Sequence, residues 1–464
     1  MGGTMARGQV NNHQTRVLIL SHDVVGDNMA GPGIRYYHLA RVLDTYFDVT
    51  LAVPSISRDD FSPDFSLVRY QDENNENLVK AIKDADILLA PAIRIHKIFP
   101  LLPQTLALIV DGYDPFVAET LSLQMESTEL QQVLTQAYLA GDFFICASER
   151  QRDWWLGLLE ANGRVNPYTF GEDRSLRQLV DVVPYGLPSE LPKSSMPVIK
   201  GVWPGIALED KVLLWGGGLW PWLDPLTAIR AVARIWEQRQ DVRLVFPGTK
   251  HPNPLLDGIP THNEVALNLA RELGILDRAV FFGDWVPYKD WPQVLLESDV
   301  ALTLHGDTLE TRLAFRSRVL EYIWAGLPTV ATKGDATSDL IAEYDIGVVV
   351  DYENVEDVAE AILHLLEKPR GFFDEGFRNA REQLTWEKAV QPLIRFCRQP
   401  RRAPDKVAWG EELGNPFYVE KRRHLVEERN QCREIIQKYE QGRFIQFMRY
   451  VDQWKAKFGS ILHG

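Results

Sequence analysis

Short apolar runs that alternate with helical patterns constrain the fold of this chain more than any other feature. RVLIL (16–20), ADILLA (85–90) and LALIV (106–110) are each typical of a strand that is buried on both faces of a sheet. Segments of helical periodicity separate several of these runs. The sequence therefore predicts an α/β protein, in which parallel sheets carry helices on both faces.

A proline-rich stretch, residues 187–205, divides this series into two parts of similar size. Each part predicts a Rossmann-like, doubly wound parallel-sheet domain, and the two domains would face a cleft. Asp224 and Pro225 mark a helix start in the second part. The predicted divisions are a disordered tail (1–15), an N-terminal Rossmann-like domain (16–190), a C-terminal Rossmann-like domain (205–370), a helical segment (371–400) and a basic amphipathic helical extension (401–464).

Length and charge limit the functional classes. A chain of 464 residues is too long for one hydrophobic core, and a net charge of −14 argues against a nucleic-acid partner. The three cysteines are far apart and form neither a disulfide framework nor a zinc motif. No stretch approaches the roughly 18 apolar residues of a membrane span, and residues 1–15 do not resemble a secretory signal. We therefore expect a cytoplasmic protein without a bound metal.

The extension has a charge opposite to that of the rest of the chain. Residues 415–464 hold 10 Lys/Arg and 6 Asp/Glu, and one helix face collects apolar side chains, namely Phe444, Phe447, Met448, Val451, Trp454 and Phe458. Such a helix can lie on the inner face of a membrane as a peripheral contact. It can equally pack on the body of the protein or on another subunit.

In the predicted first domain, polar residues and glycines follow the strands at the edge where ligands bind. Gly31 and Gly33 open a helix after the first strand, where backbone N–H groups can approach a phosphate; the alternative is a simple turn. Asp111 and Asp114 follow the strand LALIV. Asp114 is expected to cap the helix beginning at Pro115, which leaves Asp111 as the predicted cleft residue.

The predicted second domain offers further candidates. Gly217 and Gly218 belong to a run of three glycines that lets the backbone meet a ligand. Lys250 follows another strand and suits a diphosphate, although a solvated loop lysine is an equal alternative. Asp307 and Glu310 follow a third strand and are expected at the edge of the cleft.

The stretch FRSRVLEYIWAGLPTV (315–330) carries the most specific signal. Arg316 and Arg318 stand at a helix start, where the helix dipole disfavours positive charge, so a bound phosphate would explain them. Glu321, inside the same helix, can accept hydrogen bonds from ribose hydroxyls. The alternative is an ion pair between Arg318 and Glu321, worth only ~0.2–0.5 kcal/mol.

Three segments resemble one known family. VPYG (183–186), the run from FFGDWVP to SDVAL (281–302) and VLEYIWAGLPTVAT (319–332) are similar to the GT-B glycosyltransferases of family 4, the glycosyl transferases group 1, as a divergent branch. The resemblance covers about residues 16–396. It implies transfer of a sugar from a nucleotide diphosphate sugar to a glycan or lipid-linked acceptor, with retention and without a cofactor or metal, in polysaccharide or glycoconjugate assembly.

The resemblance also implies roles for individual residues. Glu321 matches the glutamate that binds the donor ribose, and Trp285 and Val286 would lie near the base. TWEKAVQPLIRFC (385–397) resembles the last helix of the family, which crosses back to the first domain. Asp111 stands where the family often has a histidine, and would orient or deprotonate an acceptor hydroxyl.

The chain departs from the family pattern in its charged residues. The usual second glutamate, eight residues before Glu321, is Leu313, and Glu310 is its nearest neighbour of that type. An arginine and a lysine that the family places after the first strand of the second domain are absent from WGGGLWPWLDP (215–225). Arg316, with Arg318 and Lys250, would supply the missing charge. The predicted catalytic residues are Asp111, Arg316 and Glu310.

Other functions remain open from the sequence. A GT-B-like nucleotide-sugar epimerase would need no acceptor, and a non-catalytic sugar-nucleotide-binding protein would tolerate the lost glutamate and cations. A nicotinamide dehydrogenase is disfavoured, because no G-x-G-x-x-G with a downstream acid follows either first strand. The sequence identifies neither the donor sugar and base nor the acceptor.

Overall fold

A computed structural model describes residues 14–57, 63–369, 371–409, 428 and 431–437. Most of the predicted N-terminal tail (1–15) and of the predicted extension (401–464) lies outside these residues. The apolar helix face between residues 444 and 458 lies outside them as well.

Parallel strands form the sheet of the first domain. They are β1 (Arg16–Leu20), β2 (Asp48–Pro54), β3 (Ser66–Tyr70), β4 (Ile87–Pro91), β5 (Ala107–Asp111), β6 (Phe143–Cys146) and β7 (Val180–Val182), in the order β3-β2-β1-β4-β5-β6-β7. Along β1, Val17 and Ile19 join the core on one face and Leu18 and Leu20 join a second core on the other. Both faces are covered, which explains the uninterrupted apolar runs of the sequence.

The second domain repeats this architecture with a smaller sheet. Its strands are β8 (Lys211–Leu214), β9 (Val242–Pro247), β10 (Val280–Gly283), β11 (Val300–Thr303), β12 (Thr329–Thr332) and β13 (Gly347–Val350), in the order β10-β9-β8-β11-β12-β13. Adjacent strands pair in parallel throughout. The predicted fold class, two doubly wound α/β domains with additional C-terminal helices, is confirmed.

Helices connect the strands and cover both sheets. They are α1 (Gly31–Asp44), α2 (Glu76–Asp84), α3 (Ile95–Ile98), α4 (Phe116–Ser122), α5 (Thr128–Ala140), α6 (Glu149–Ala161), α7 (Pro167–Glu172), α8 (Pro225–Trp236), α9 (Asn263–Glu272), α10 (Trp291–Glu297), α11 (Leu309–Leu313), α12 (Ser317–Ala325), α13 (Ala336–Glu343), α14 (Val355–Glu367), α15 (Asp374–Gln383), α16 (Trp386–Ala389), α17 (Gln391–Arg398) and α18 (Pro404–Trp409). Short 3-10 segments occupy Ala92–Arg94, Phe99–Leu101 and Pro254–Leu256. Asp224 caps α8 by accepting from the Thr227 N–H, as predicted.

The order of the strands fixes where the two sheets leave space for a ligand. In the first sheet the chain moves outward from β1 to β3 and then resumes on the other side of β1 with β4; β8 and β11 are related in the same way in the second sheet. The loops after β1 and β4 therefore leave in opposite directions, and so do the loops after β8 and β11. Crevices at such switch points are the usual ligand sites of doubly wound sheets.

The chain returns from the second domain to the first at Thr385. α15 still packs on α12 of the second domain, whereas Thr385 bridges to Leu187 and the Trp386 ring stacks on His38 of α1, 5.1 Å apart. The predicted single helix at 385–397 is two helices, α16 and α17, because Val390 ends the first and Pro392 starts the second. The crossing that the family resemblance implied is thus present, over a shorter span than 371–400.

The stretch RQPRRAPDK (398–406) makes a buried contact with the first domain. Arg164 and Asp405 form a fully buried ion pair, with Nε and Oδ2 2.6 Å apart. Asp142 accepts from the Arg402 guanidinium at 3.2 Å and lies 2.8 Å from the Lys406 ammonium. The sequence missed this contact because its partners in the first domain, Asp142 and Arg164, lie more than 200 residues away in the chain.

Candidate functional site

A cavity of about 740 Å³ lies between the carboxyl ends of the two sheets. Residues after β1 and β4 line it from the first domain, and residues after β8, β9, β10 and α11 line it from the second. It therefore occupies the switch points of both sheets, and its size suits a ligand of drug or nucleotide dimensions. The sequence predicted a cleft at this place from the strand order alone.

The glycines after β8 bring the backbone to the cavity wall. Gly216 donates its N–H to the Tyr322 hydroxyl at 2.9 Å, and a Cβ on Gly216 would lie 2.7 Å from that oxygen. Gly217 has φ of +91°, and a Cβ there would lie 3.3 Å from Arg318 Nη2. Larger residues would strain the loop and crowd Arg318, so the glycines keep this wall open, as predicted for Gly217 and Gly218.

Arg318 is the cation that the second domain leaves available. Its guanidinium lies 6.0 Å from the centre of the Trp215 ring, and its buried Nη1 has no hydrogen-bond partner among the described residues. Burial lowers the pKa of Arg318 from its ordinary value, although a guanidinium stays charged at neutral pH. A buried cation without a carboxylate is costly, so an anionic ligand at this position would stabilise it.

Arg316 has a different environment, although it also lines the cavity. Its two terminal nitrogens each lie 2.7 Å from a carboxylate oxygen of Glu310, and its Nε lies 3.4 Å from Asp335. Glu310 is 1% exposed and does not line the cavity. The predicted position of Glu310 at the edge of the cleft is therefore wrong, and the charge of Arg316 is already neutralised within the protein.

Glu321 faces the cavity from one turn further along α12. Its carboxylate accepts from Trp291 Nε1 at 2.9 Å and from the Tyr185 hydroxyl at 3.4 Å. Burial raises the pKa of Glu321 to about 7, although both hydrogen bonds act in the opposite direction. The alternative ion pair between Glu321 and Arg318 is absent from the hydrogen bonds and ion pairs of the described residues, so the carboxylate remains accessible to a ligand.

Aromatic rings form a continuous wall on the second-domain side of the cavity. The rings of Trp220 and Trp222 stack with their centroids 5.5 Å apart. The centroid of the His251 ring lies 5.8 Å from that of Trp220 and 5.7 Å from that of Trp285. Trp285 packs on Gly248, where a Cβ would lie 2.7 Å from the indole ring. Trp285 and Val286 thus line the cavity as expected, whereas the sequence gave no reason to place Trp220 and Trp222 there.

The first domain presents the start of helix α1 to the same cavity. α1 begins at Gly31, which lines the cavity, and a Cβ on Gly31 would lie 3.1 Å from the Ser317 hydroxyl at the start of α12. The first turns of two helices thus meet across the cleft, and both favour an anion. Gly33 has another role, since a Cβ there would lie 2.0 Å from the Val24 carbonyl oxygen.

Neither Asp111, the last residue of β5, nor Asp114 holds its predicted position. Asp111 is 2% exposed and takes two hydrogen bonds from the Arg35 guanidinium, at 2.8 and 3.1 Å. It does not line the cavity, so its predicted place in the cleft is wrong. Asp114 lines the cavity and does not cap α4, whose N-cap is Pro115. A buried arginine on α1 attracts the first acid, and nothing in the local sequence reveals that partner.

Asp114 has titratable neighbours that the sequence analysis missed. His22 Nε2 lies 3.9 Å from its carboxylate, and Glu119 on α4 also lines the cavity. Burial, followed by the charge of Asp111, raises the pKa of Asp114 to about 7. Burial lowers the pKa of His22, so its contact with Asp114 is not an ion pair at neutral pH. His22 follows β1 directly, a position that could have identified it, whereas Glu119 carries no such signal.

Two predicted residues lie elsewhere. Lys250 and Asp307 are exposed and do not line the cavity. The chain turns at Gly248 with φ of +85°, and His251 rather than Lys250 faces inward. These predictions of position are wrong, because a residue after a strand can point to either side of its loop.

Two general features concern metals and membranes. Within the described ranges, no three His, Cys, Asp or Glu side chains are grouped closely enough to hold a metal ion. Among the same residues, no helix combines the length and apolar character that a membrane crossing requires.

Comparison with known proteins identifies relatives of the second domain. Residues 204–384 match the family described as glycosyl transferases group 1. A D-inositol 3-phosphate glycosyltransferase from Corynebacterium aurimucosum is 29% identical over 195 residues, which is 41% of this chain and 43% of that protein. The chain thus matches less than half the length of this curated relative.

Solved structures share the two-domain architecture. Sucrose-phosphate synthase from Thermosynechococcus elongatus matches with a TM-score of 0.61 and 16% identity, over 83% of this chain and 99% of that one. Alr3699/HepE from Anabaena, in complex with UDP-glucose, matches with a TM-score of 0.58 and 16% identity, over 82% of this chain and 98% of that one. At these identities the likeness shows the fold, which is that of GT-B glycosyltransferases.

Proposed function

Because residues 204–384 match the glycosyl transferases group 1 family and the body of the chain has the GT-B fold, we propose that this protein is a glycosyltransferase. It would move a sugar from a nucleotide diphosphate sugar to a glycan or lipid-linked acceptor in polysaccharide or glycoconjugate assembly. One observation carries the proposal. Arg318, whose Nη1 has no hydrogen-bond partner in the described part of the chain, and an accessible carboxylate, Glu321, face the same cavity from one helix.

The donor would lie along the second domain. Glu321 suits the paired ribose hydroxyls, because an ionised carboxylate accepts hydrogen bonds without donating any. Arg318, the backbone of Gly217 and Gly218, and the first turns of α12 and α1 suit the diphosphate. Trp285 and Val286 would meet the base. The neutralised Arg316 would position Glu310 and Asp335 and thereby hold the start of α12, instead of binding the diphosphate.

The acceptor would enter from the first domain, where Asp114 is accessible. In the transfer, a bond forms between the acceptor oxygen and the anomeric carbon, and the bond from that carbon to the diphosphate oxygen breaks. The electron pair leaves with the diphosphate, whose developing charge Arg318 and the helix starts stabilise. We propose that Asp114 orients the acceptor hydroxyl, with retention of configuration and without a metal, as the family resemblance implies. In the proposed step the proton of the acceptor hydroxyl would pass to the departing diphosphate, which balances the charge.

A screen of UDP-, GDP- and dTDP-sugars by thermal shift tests the proposal, since a bound donor raises Tm by mass action. One nucleotide class should stabilise the wild type, and Glu321→Ala should remove most of that stabilisation. Glu343→Ala, which changes an exposed glutamate on α13, is the matched control.

Product analysis separates the alternative activities. A new sugar nucleotide formed from donor alone would indicate an epimerase, and donor binding without turnover on any acceptor would indicate a binding protein. Stabilisation by none of the donors would refute the proposed donor site.

We also propose a cytoplasmic location. The predicted membrane contact of the C-terminal face falls outside the described residues and stays a prediction.

A further inference from the structure

The first-domain end of the cavity carries positive charge that the donor site does not use. Arg94, at the end of a 3-10 segment, and Lys97, on α3, line the cavity there, together with His96. These residues follow β4, which lies beside β1 at the switch point of the first sheet. The donor site described above belongs to the second domain and to the start of α1, so this basic end needs another explanation.

The two cations share one carboxylate. Arg94 Nη1 donates to Glu73 Oε1 at 2.9 Å, and Lys97 Nζ lies 3.9 Å from the same oxygen. One carboxylate neutralises only one of them, so the group keeps a positive charge in a chain whose net charge is −14. The side chain of Glu73 is 12% exposed, against 22% for Arg94 and 47% for Lys97. The cations, more than the carboxylate, therefore meet whatever enters the cavity.

The positive charge reaches into the cavity. Burial lowers the pKa of His22 most. The charge of Asp23 acts against that change, and the charge of Arg94 lowers the pKa further, which places the guanidinium within electrostatic range of the ring beside Asp114. The same end is lined by apolar side chains, Ile93, Leu123 and Leu130. Low-polarity surroundings strengthen a charge–charge contact relative to water. A small anionic group would therefore be held here more firmly than at an open surface.

We propose that Arg94 and Lys97 bind a phosphate or carboxylate group on the acceptor. The guanidinium offers paired donors to a planar or tetrahedral anion, and the ammonium acts as a point charge. This inference rests on the proposed function, because it assumes that the donor occupies the second-domain side. It assigns the substrate class of the first-domain side as a negatively charged acceptor.

Three probes that share one sugar ring test the inference: glucose 6-phosphate, glucuronate and glucose. Each is titrated calorimetrically into the full chain with the donor site saturated by UDP, GDP or dTDP, whichever stabilises the protein most. The anionic sugars should bind at least about tenfold more tightly than glucose. Preference for glucose 6-phosphate over glucuronate would identify phosphate as the recognised group, and the reverse would identify carboxylate.

Variants connect the preference to these side chains. Lys97→Gln should reduce binding of the preferred anion by about tenfold and leave glucose unchanged. Arg94→Gln should have a similar effect, while Lys83→Gln, an exposed lysine of α2 in the same domain, should have none.

Three outcomes would overturn the inference: equal binding of glucose and the anionic sugars, no binding of any probe while the nucleotide binds, or an unchanged preference in Lys97→Gln. Nucleotide binding should be the same in wild type and both variants. Absence of nucleotide binding in the wild type would instead count against the proposed function itself.

Discussion

Two regions on opposite sides of the cavity each contain two residues of like charge, one paired inside the protein and one facing the cavity. At the end of β5, Asp111 is held by Arg35 in the interior, and Asp114, three residues later, faces the cavity. At the start of α12, Arg316 is held by Glu310, and Arg318, two residues later, faces the cavity with no carboxylate paired to it among the described residues. In each region one charge stabilises the fold and its neighbour is left for a ligand.

The two regions differ in what the available group can do. Burial raises the pKa of Asp114 to about 7, so this acid can gain or lose a proton near neutral pH. Arg318 is a guanidinium and keeps its charge. The first domain therefore offers a group that can respond to a hydroxyl, and the second offers a fixed charge for a leaving group. The following predictions test that division, from the largest expected effect to the smallest.

Breaking either interior pair should cost the most stability. Arg316→Leu leaves the Glu310 carboxylate buried and unpaired, and Asp111→Asn leaves the Arg35 guanidinium in the same state, each at a cost of ~3–5 kcal/mol. Urea unfolding measures the loss. The double variant Arg316→Leu with Glu310→Leu should recover much of it, because no isolated charge remains. A single variant as stable as wild type would show that the pair is not structural.

Removing the available cation should affect binding instead. Arg318→Gln should weaken donor binding by ~1.5–3 kcal/mol, the value of a hydrogen bond to a charged group, without lowering Tm in the absence of donor. Calorimetric titration with the best donor measures the first effect and thermal unfolding the second. Arg312→Gln, which changes an exposed arginine on α11, is the control. Unchanged donor affinity in Arg318→Gln would exclude it from the diphosphate site.

The raised pKa of Asp114 should appear in the pH dependence of stability. The folded pKa of Asp114, about 7, exceeds its ordinary value, so its contribution to stability is complete below the ordinary pKa and is lost as pH rises through about 7. The Tm of the wild type should therefore fall relative to that of Asp114→Asn between about pH 4 and pH 7, and the two curves should run parallel above that range. Asp111→Asn should instead be less stable across that range. Parallel curves for wild type and Asp114→Asn within that range would contradict the raised pKa.

The smallest effects should come from residues that sequence position alone selected. Lys250→Gln and Asp307→Asn should change stability by less than ~0.5 kcal/mol and donor affinity by less than about twofold, because both are exposed and outside the cavity. Donor titration of each variant checks this. A tenfold loss of affinity in either variant would mean that the loop turns inward when the donor binds.

Local patterns determined the architecture and one helix of the site. The apolar runs predicted buried parallel strands, the proline-rich stretch separated two domains, and the position of 315–330 placed Glu321, Arg316 and Arg318 on a helix at the cleft. These inferences succeeded because backbone periodicity and strand order are local or near-local properties. The glycine run also correctly predicted that the loop after β8 would line the cavity, and the family resemblance correctly placed Trp285 and Val286 there.

Only the tertiary structure decided which of two similar residues faces the ligand. Asp111 pairs with Arg35, which lies 76 positions away in the chain, and Glu310 pairs with Arg316 instead of facing the cleft. Both carboxylates are therefore neutralised inside the protein. Asp114, His22 and Arg94 meet in one cavity although β4 and β5 separate them in sequence. The reason is energetic: a buried charge must find a partner, and partners come from the whole fold. The sequence supplied the candidates, and long-range pairing determined which of them remained available.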